Sequence, residues 1–318
     1  MKKKKKEKKK KKKTKEEEEE GEDKRRGRRR RKEMKFLASG KNHRSLSFYF
    51  RAGVTTIRSI TTETCRVIWN VLQPLVMPTP DGNRWRQIAL EFHERFDFPL
   101  CLEAIDGKHI RIKKPHRSGS KYYNYKGYCS IVLFAVSDAN GKFVIVDVVF
   151  YGGNSDGGVF NRSTFGKKLL AEKLAIPEND FIPGTDINIP YTFVADEAFP
   201  LRENIIKPFA HHQLTHDKQI SNYRLSRARD SVECSFGRIA QMWRILLRQI
   251  DAQPVAATNI VKSITALHNF IVENEPHRLV TTAQDVQQDQ GQSRGPVNYQ
   301  NLQRRRQRAT KCALQIRE

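Results

Sequence analysis

The chain has 318 residues, of which 38% are hydrophobic and 30% charged, and its formal net charge is +24. Its longest apolar runs, residues 131–136 and 143–151, are strand-sized and far short of the roughly 18 residues of a membrane span. The poly-Lys N-terminus has no apolar segment of the secretory kind, and five scattered cysteines with no CxxC pair exclude a disulfide scaffold and a zinc finger. The chain is therefore expected to be soluble, intracellular and reduced.

The charge is concentrated at the ends. Residues 1–35 carry +12 and residues 276–318 carry +5, which leaves +7 for the 240 residues between them. The first segment alternates Lys, Glu and Arg runs and is expected to be a disordered tail. Its charge suits nuclear import and attraction to nucleic-acid phosphates. The last segment, rich in Gln and Arg with a knot at Arg304–Arg306, is likewise expected to be disordered.

Residues 36–98 read as a helical unit. Leu46, Tyr49 and Phe50 lead into Gly53, and Val54, Ile57, Ile60, Thr64, Ile68, Val71 and Leu72 follow at steps of three and four. The pattern suits a helix-turn-helix and equally a small helical bundle. A further helix over 84–95 places Trp85, Ile88, Ala89, Phe92 and Phe96 on one face and ends at Pro99.

From about residue 99 to 275 the period changes. Residues 100–105 and 109–113 form an extended segment interrupted at Asp106-Gly107. Residues 129–137 and 142–151 are β-rich and joined through Asn140-Gly141, a strong hairpin signal. A helix over 157–174 follows, then a short buried strand over 191–195, then helices over 226–247 and 254–274, the last with Pro254 suited to a first turn. This order implies a mixed sheet flanked by helices.

Four acids stand at telling places. Asp106 lies within the first strand, Asp156 just before a helix, Asp196 just after the fourth strand, and Glu233 on the face of a helix that also carries Phe236 and Trp243. Adjacent first and fourth strands would bring Asp106 and Asp196 together, and a helix across that edge would add Glu233. Two carboxylates 4 Å apart repel by roughly 4 kcal/mol at an effective dielectric near 20. Such a cluster either takes up a proton or holds a cation. Carboxylate oxygens suit Mg²⁺ or Mn²⁺, and two such ions suit phosphodiester cleavage. Each acid also has an ordinary explanation: a turn at Asp106-Gly107, a helix N-cap at Asp156, a strand end at Asp196, and pairing of Glu233 with Arg229 one turn earlier. Gly237, one turn beyond Glu233, leaves that helix face bare. His109, three residues along the strand, is expected to point away from the site, and His268 to be a satisfied core histidine. The stretch 117–128 interleaves Arg117, Lys121 and Lys126 with Tyr122, Tyr123, Tyr125 and Tyr128, which suits either a nucleic-acid backbone contact or a plain connecting loop.

Four segments in order resemble the PIF/Harbinger transposase family of the DDE superfamily, which includes Harbinger transposase-derived nucleases. They are Ala104-Ile105-Asp106-Gly107-Lys108-His109-Ile110, the run from Gly152 to Phe160, Val194-Ala195-Asp196-Glu197-Ala198-Phe199-Pro200-Leu201, and Asn222 to Leu246 with Arg227-Ala228-Arg229, Val232-Glu233 and Phe236-Gly237. The resemblance covers about residues 45–275. It departs from the family pattern at Ser155, where relatives commonly carry His, and at Ala198-Phe199, commonly Gly-Tyr.

The resemblance implies an RNase H-like mixed sheet flanked by helices. It also implies a catalytic triad of Asp106, Asp196 and Glu233, and a metal set of these three with Asp156, holding Mg²⁺ or Mn²⁺. The expected activity is two-metal DNA cleavage in the nucleus, with the cytoplasm as a second location. A separate Myb-like DNA-binding partner is implied as well. The competing expectation is a catalytically silent DNA-binding or scaffold protein that keeps the fold.

Overall fold

A computed structural model describes residues 34–210 and 214–275, so the expectations for residues 1–33 and for the C-terminal tail lie outside the described residues. Helix α1 (His43–Phe50) is capped by Asn42, whose side chain accepts from Ser45 N, and ends where Arg51 turns left-handed. It leads through Gly53 into α2 (Val54–Val76), then α3 (Gly82–Phe96). Helix α3 is capped by Asp81 and stops at Asp97 in the left-handed region, two residues before Pro99. Leu46, Ile57, Trp85, Ile88, Ala89 and Phe92 are buried as their spacing predicts.

A five-stranded sheet forms the centre: β1 (Cys101–Arg111), β2 (Ser130–Ser137), β3 (Phe143–Tyr151), β6 (Thr192–Val194) and β7 (Ile205–Ile206). Two residues each from β4 (Asp180–Phe181) and β5 (Asn188–Ile189) pair separately. The order in the large sheet is β3-β2-β1-β6-β7. Strands β1, β2 and β3 are antiparallel neighbours, while β6 runs parallel to β1 and β7 parallel to β6. This is the RNase H-like mixed sheet that the resemblance implies.

Helices cover both faces. On one side Phe134 of β2 and Phe193 of β6 meet Phe165, Phe160 and Phe199, and Trp85 of α3 packs edge-on against Phe193. Phe160 belongs to α4 (Asp156–Arg162) and Phe165 to α5 (Thr164–Leu170). On the other side lie α6 (His216–Met242) and α7 (Pro254–Asn274), where Phe143 touches Phe236 and His268. Helix α7 is long and apolar enough to cross a membrane on composition alone, but it packs against α2 and β3. A 3₁₀ turn, Arg244–Leu247, follows α6.

Three local expectations need correction. Strand β1 runs unbroken through Asp106-Gly107, because the Asp106 carboxylate accepts from its neighbour Gly107 N at 2.7 Å while the backbone stays paired with β2. The helix expected over 157–174 is two helices. Ser163 sits extended between them, its Oγ donating to Phe160 O and accepting from Gly166 N. Helix α6 begins ten residues earlier than expected, capped by Thr215, and Asn222 on its first turns exchanges hydrogen bonds with the backbone of Phe209.

Candidate active site

Strand alternation sorts the acids of β1. Lys108 stands 5.5 Å from the Phe236 ring of α6, and Asp106, two residues back, points to the same face. Parallel pairing of Ala104 with Val194 carries β6 alongside, so Asp196 emerges two residues past the end of β6. Its Oδ1 accepts from Ala198 N at 3.0 Å. Helix α6 lies across β1, β2 and β6 and brings Glu233 to the same edge. Gly237 faces open space there.

Asp106 lies within the field of the other two acids. Burial raises the Asp106 carboxyl to about 6. The Gly107 N–H and the Arg229 guanidinium oppose this, and the charges of Asp196 and Glu233 push in the same direction as burial. Arg229 Nη2 donates to Glu233 Oε1 at 3.0 Å, so the ordinary i,i+4 pairing is present. The Glu233 side chain is nonetheless 53% exposed, and Arg229 Nε is buried without a hydrogen-bond partner.

Asp156 approaches from the opposite face. It is the first residue of α4, and the N-cap role falls to Ser155, whose Oγ accepts from Gly158 N. The Asp156 carboxylate is thereby left without capping duty. A Cβ on Gly107 would stand 3.1 Å from Asp156 Oδ1, so the missing side chain lets this acid close on β1. Burial raises the Asp156 pKa, Asp196 adds to it, and Lys126 opposes.

Cations share the site. Lys108 is lowered by burial, with Asp106 raising it and Lys126 lowering it. The i,i+2 spacing of Asp106 and Lys108 on one strand is the sequence signal for this placement. His109 points to the other face, half-buried, with Nδ1 2.9 Å from Ser130 Oγ. Burial, helped by Lys126, lowers it. His268 is a core histidine: Nε2 donates to Gly141 O at 2.9 Å, and burial takes it down to about 4.

Among the described residues, no three His, Cys, Asp or Glu side chains stand close enough together to enclose a metal ion. The chemistry of the donor set still fits a hard divalent cation. Asp106, Asp196 and Glu233 offer carboxylate oxygens only, and Arg229 is the cation that offsets their effect on Asp106. Asp156 stands on the α4 side of β1, against Gly107.

The DDE superfamily endonuclease model matches residues 105–269, just over half of the chain. The chain is 24% identical over 257 residues to "Putative nuclease HARBI1" of Xenopus laevis, covering 76% of this chain and 68% of that protein. It is 22% identical over 191 residues to the protein of the same name from Rattus norvegicus, covering 58% and 49%. No solved structure matches. The match spans β1 to α7 and takes in all four acids, and with the sheet order it identifies the chain as a member of the DDE superfamily endonucleases, related to the Harbinger transposase-derived nucleases.

Proposed function

We propose that the chain is a metal-dependent DNA endonuclease derived from a Harbinger-type transposase, with Asp106, Asp196 and Glu233 as its catalytic carboxylates and Asp156 as a further metal ligand. The observation that carries the reading is the condition of Asp106. Residues 90 and 127 positions away add their negative charge to a carboxyl already raised by burial. The Glu233 side chain is 53% exposed, so a cation from solvent can complete the group.

Mg²⁺ or Mn²⁺ ions, when bound, would activate a water or a DNA 3′-hydroxyl and stabilise the leaving oxygen. Asp106, on β1, and Asp196, two residues past the end of the parallel strand β6, would supply the rigid part of the ligand set. Glu233, on the helix, supplies the part that opens, because it must first release Arg229. Freed from Glu233, Arg229 stays beside Asp106 as a cation for the substrate phosphate. Lys108 and Lys126 lower the repulsion between the acids and an incoming phosphodiester. The basic N-terminal residues suit nuclear import, and a Myb-like partner would supply sequence-specific DNA recognition.

The test is nicking of supercoiled DNA by purified protein in Mg²⁺ or Mn²⁺. The wild type is expected to nick, and Asp106→Ala and Glu233→Ala to abolish nicking. Activity that survives both substitutions removes the acids from the mechanism. The closed Arg229–Glu233 pair favours one second reading, a DNA-binding protein without cleavage. Salt-steep DNA binding with no metal-dependent nicking would select it.

A further inference from the structure

The connection between β1 and β2 crosses the side of the sheet from which His109 and Asp156 approach, and its backbone is held firmly at its centre. Asn124 is 3% exposed. Its Oδ1 accepts from Lys126 N at 3.0 Å and Tyr128 N at 3.3 Å, and its Nδ2 donates to Ser130 Oγ at 2.9 Å. Ser130 Oγ also stands 2.9 Å from His109 Nδ1, so one hydroxyl ties the loop to β1. The next turn closes through Gly127 at φ +80°, whose N–H donates to Asn124 O.

The glycines after β3 complete the seat. Gly152 N donates to Ser130 O and Gly153 N to Lys121 O. A Cβ at Gly152 would collide with Ser130 Oγ and come within 2.5 Å of Tyr122 O, and one at Gly153 would stand 3.1 Å from Lys121 O. Tyr122 packs edge-on against Tyr151. The loop is therefore a braced element rather than slack chain.

What this bracing holds up is two side chains that do not serve the core. Tyr125 is 81% exposed, resting edge-on against His109 at 5.5 Å between ring centroids. Lys126 Nζ stands 5.4 Å from the Tyr125 ring centre. His109 stands two residues along β1 from Gly107, on the face where Asp156 Oδ1 approaches, which places the Tyr125–Lys126 pair on the same side of the sheet as that acid. An exposed ring on a rigid mount, with an ammonium 5.4 Å from its centre, matches a nucleotide: a flat base for the ring and a phosphate for the ammonium. Inside a duplex both faces of each base are covered by its neighbours, so a stacking ring selects a base that has left the stack.

We infer that Tyr125 and Lys126 form a platform for one unpaired nucleotide of the DNA beside the acid site, the ring stacking on the base and the ammonium meeting the phosphate. This rests on the reading of the site as one that acts on DNA, and it adds that the bound DNA is locally unpaired there. Tyr125 thereby acts as a positioning residue and takes no part in bond cleavage.

The experiment measures binding without metal, by fluorescence anisotropy in EDTA. A forked oligonucleotide with an unpaired arm is compared with a fully paired duplex of the same sequence. The wild type is expected to prefer the forked DNA. Tyr125→Ala should weaken forked binding by about tenfold and duplex binding by less than about twofold, and Tyr125→Phe should restore the preference. Lys126→Ala should weaken both probes and reduce the salt slope by about one. Equal binding of both DNAs by the wild type overturns the inference, as does a loss in Tyr125→Phe as large as in Tyr125→Ala. Unchanged thermal melting of Tyr125→Ala keeps the comparison free of folding effects. If the wild type never cuts DNA but the Tyr125 dependence holds, the nuclease reading fails and the platform stands.

Discussion

Strand β1 carries two acids three residues apart that settle opposite fates on opposite faces. Asp106 faces α6 in a cluster whose outer member, Glu233, is half in water. Glu103 faces α3 and is fully buried, with neither carboxyl oxygen hydrogen-bonded. Its neighbour Asp138 is equally buried but satisfied, accepting from Asn140 N and Lys142 N at 2.9 Å and pairing with Arg84 at 3.4 Å. Burial pushes Glu103 well above the usual carboxylate range, Asp138 adds to it, and Arg84 opposes. The closed cluster holds its charge away from solvent, with Glu103 raised by burial and backbone N–H groups on Asp138. The open cluster is only partly offset by Arg229 and can be completed from solvent. Clustered carboxylates alone therefore say little about function; access to solvent separates the two cases.

The sharpest way to break this comparison is activity. Asp106→Ala should lower metal-dependent nicking by about 10²–10³-fold, while Glu103→Gln should leave it within about twofold; equal losses would erase the distinction. Stability should show the reverse order. Asp138→Ala strands two backbone donors and Arg84 and should cost about 2 kcal/mol in urea unfolding. Glu233→Ala, on an exposed pair, should cost no more than about 0.5 kcal/mol.

A further effect is expected from pH in the absence of metal. The Asp106 pKa is raised on folding, so the folded state binds more protons than the unfolded chain between about 4 and 6. Stability from this group is therefore highest at low pH and falls as pH rises through that window, by about 3 kcal/mol. Asp106→Asn should flatten the trend in thermal melts recorded in EDTA, and Mg²⁺ should reverse it for the wild type by binding the ionised form. Glu103→Gln removes a carboxyl whose charged form burial disfavours and should change stability by less than about 1 kcal/mol at neutral pH.

Much of the scaffold was legible in the residues. Asn140-Gly141 makes the β2–β3 hairpin, with Gly141 at φ +79°, and Pro254 opens α7. The stepped apolar residues from Leu46 onward make two helices around Gly53, although Tyr49 and Val71, on the same spacing, are exposed. Periodicity reports that a helix has an apolar face but not what lies against each position of it. The breaks were less legible. Asp106-Gly107 looks like a turn because both residues favour turns, but pairing with β2 holds the strand straight. Ser163 ends one helix and caps the next with a single side chain, which a propensity reading averages away.

The order of motifs along the chain was enough to determine that a mixed sheet would form and which acids were candidates, because turn chemistry, apolar spacing and residue type are local properties. Which carboxylates meet was decided only by the tertiary structure. Parallel pairing of β1 with β6 sets Asp196 near Asp106, the bare Gly107 admits Asp156, and packing of α6 delivers both Glu233 and the Arg229 that neutralises it. The burial of Glu103 was hidden for the same reason: a charge's surroundings come from segments distant in sequence, and the free energy of a carboxylate depends on those surroundings more than on its neighbours along the chain.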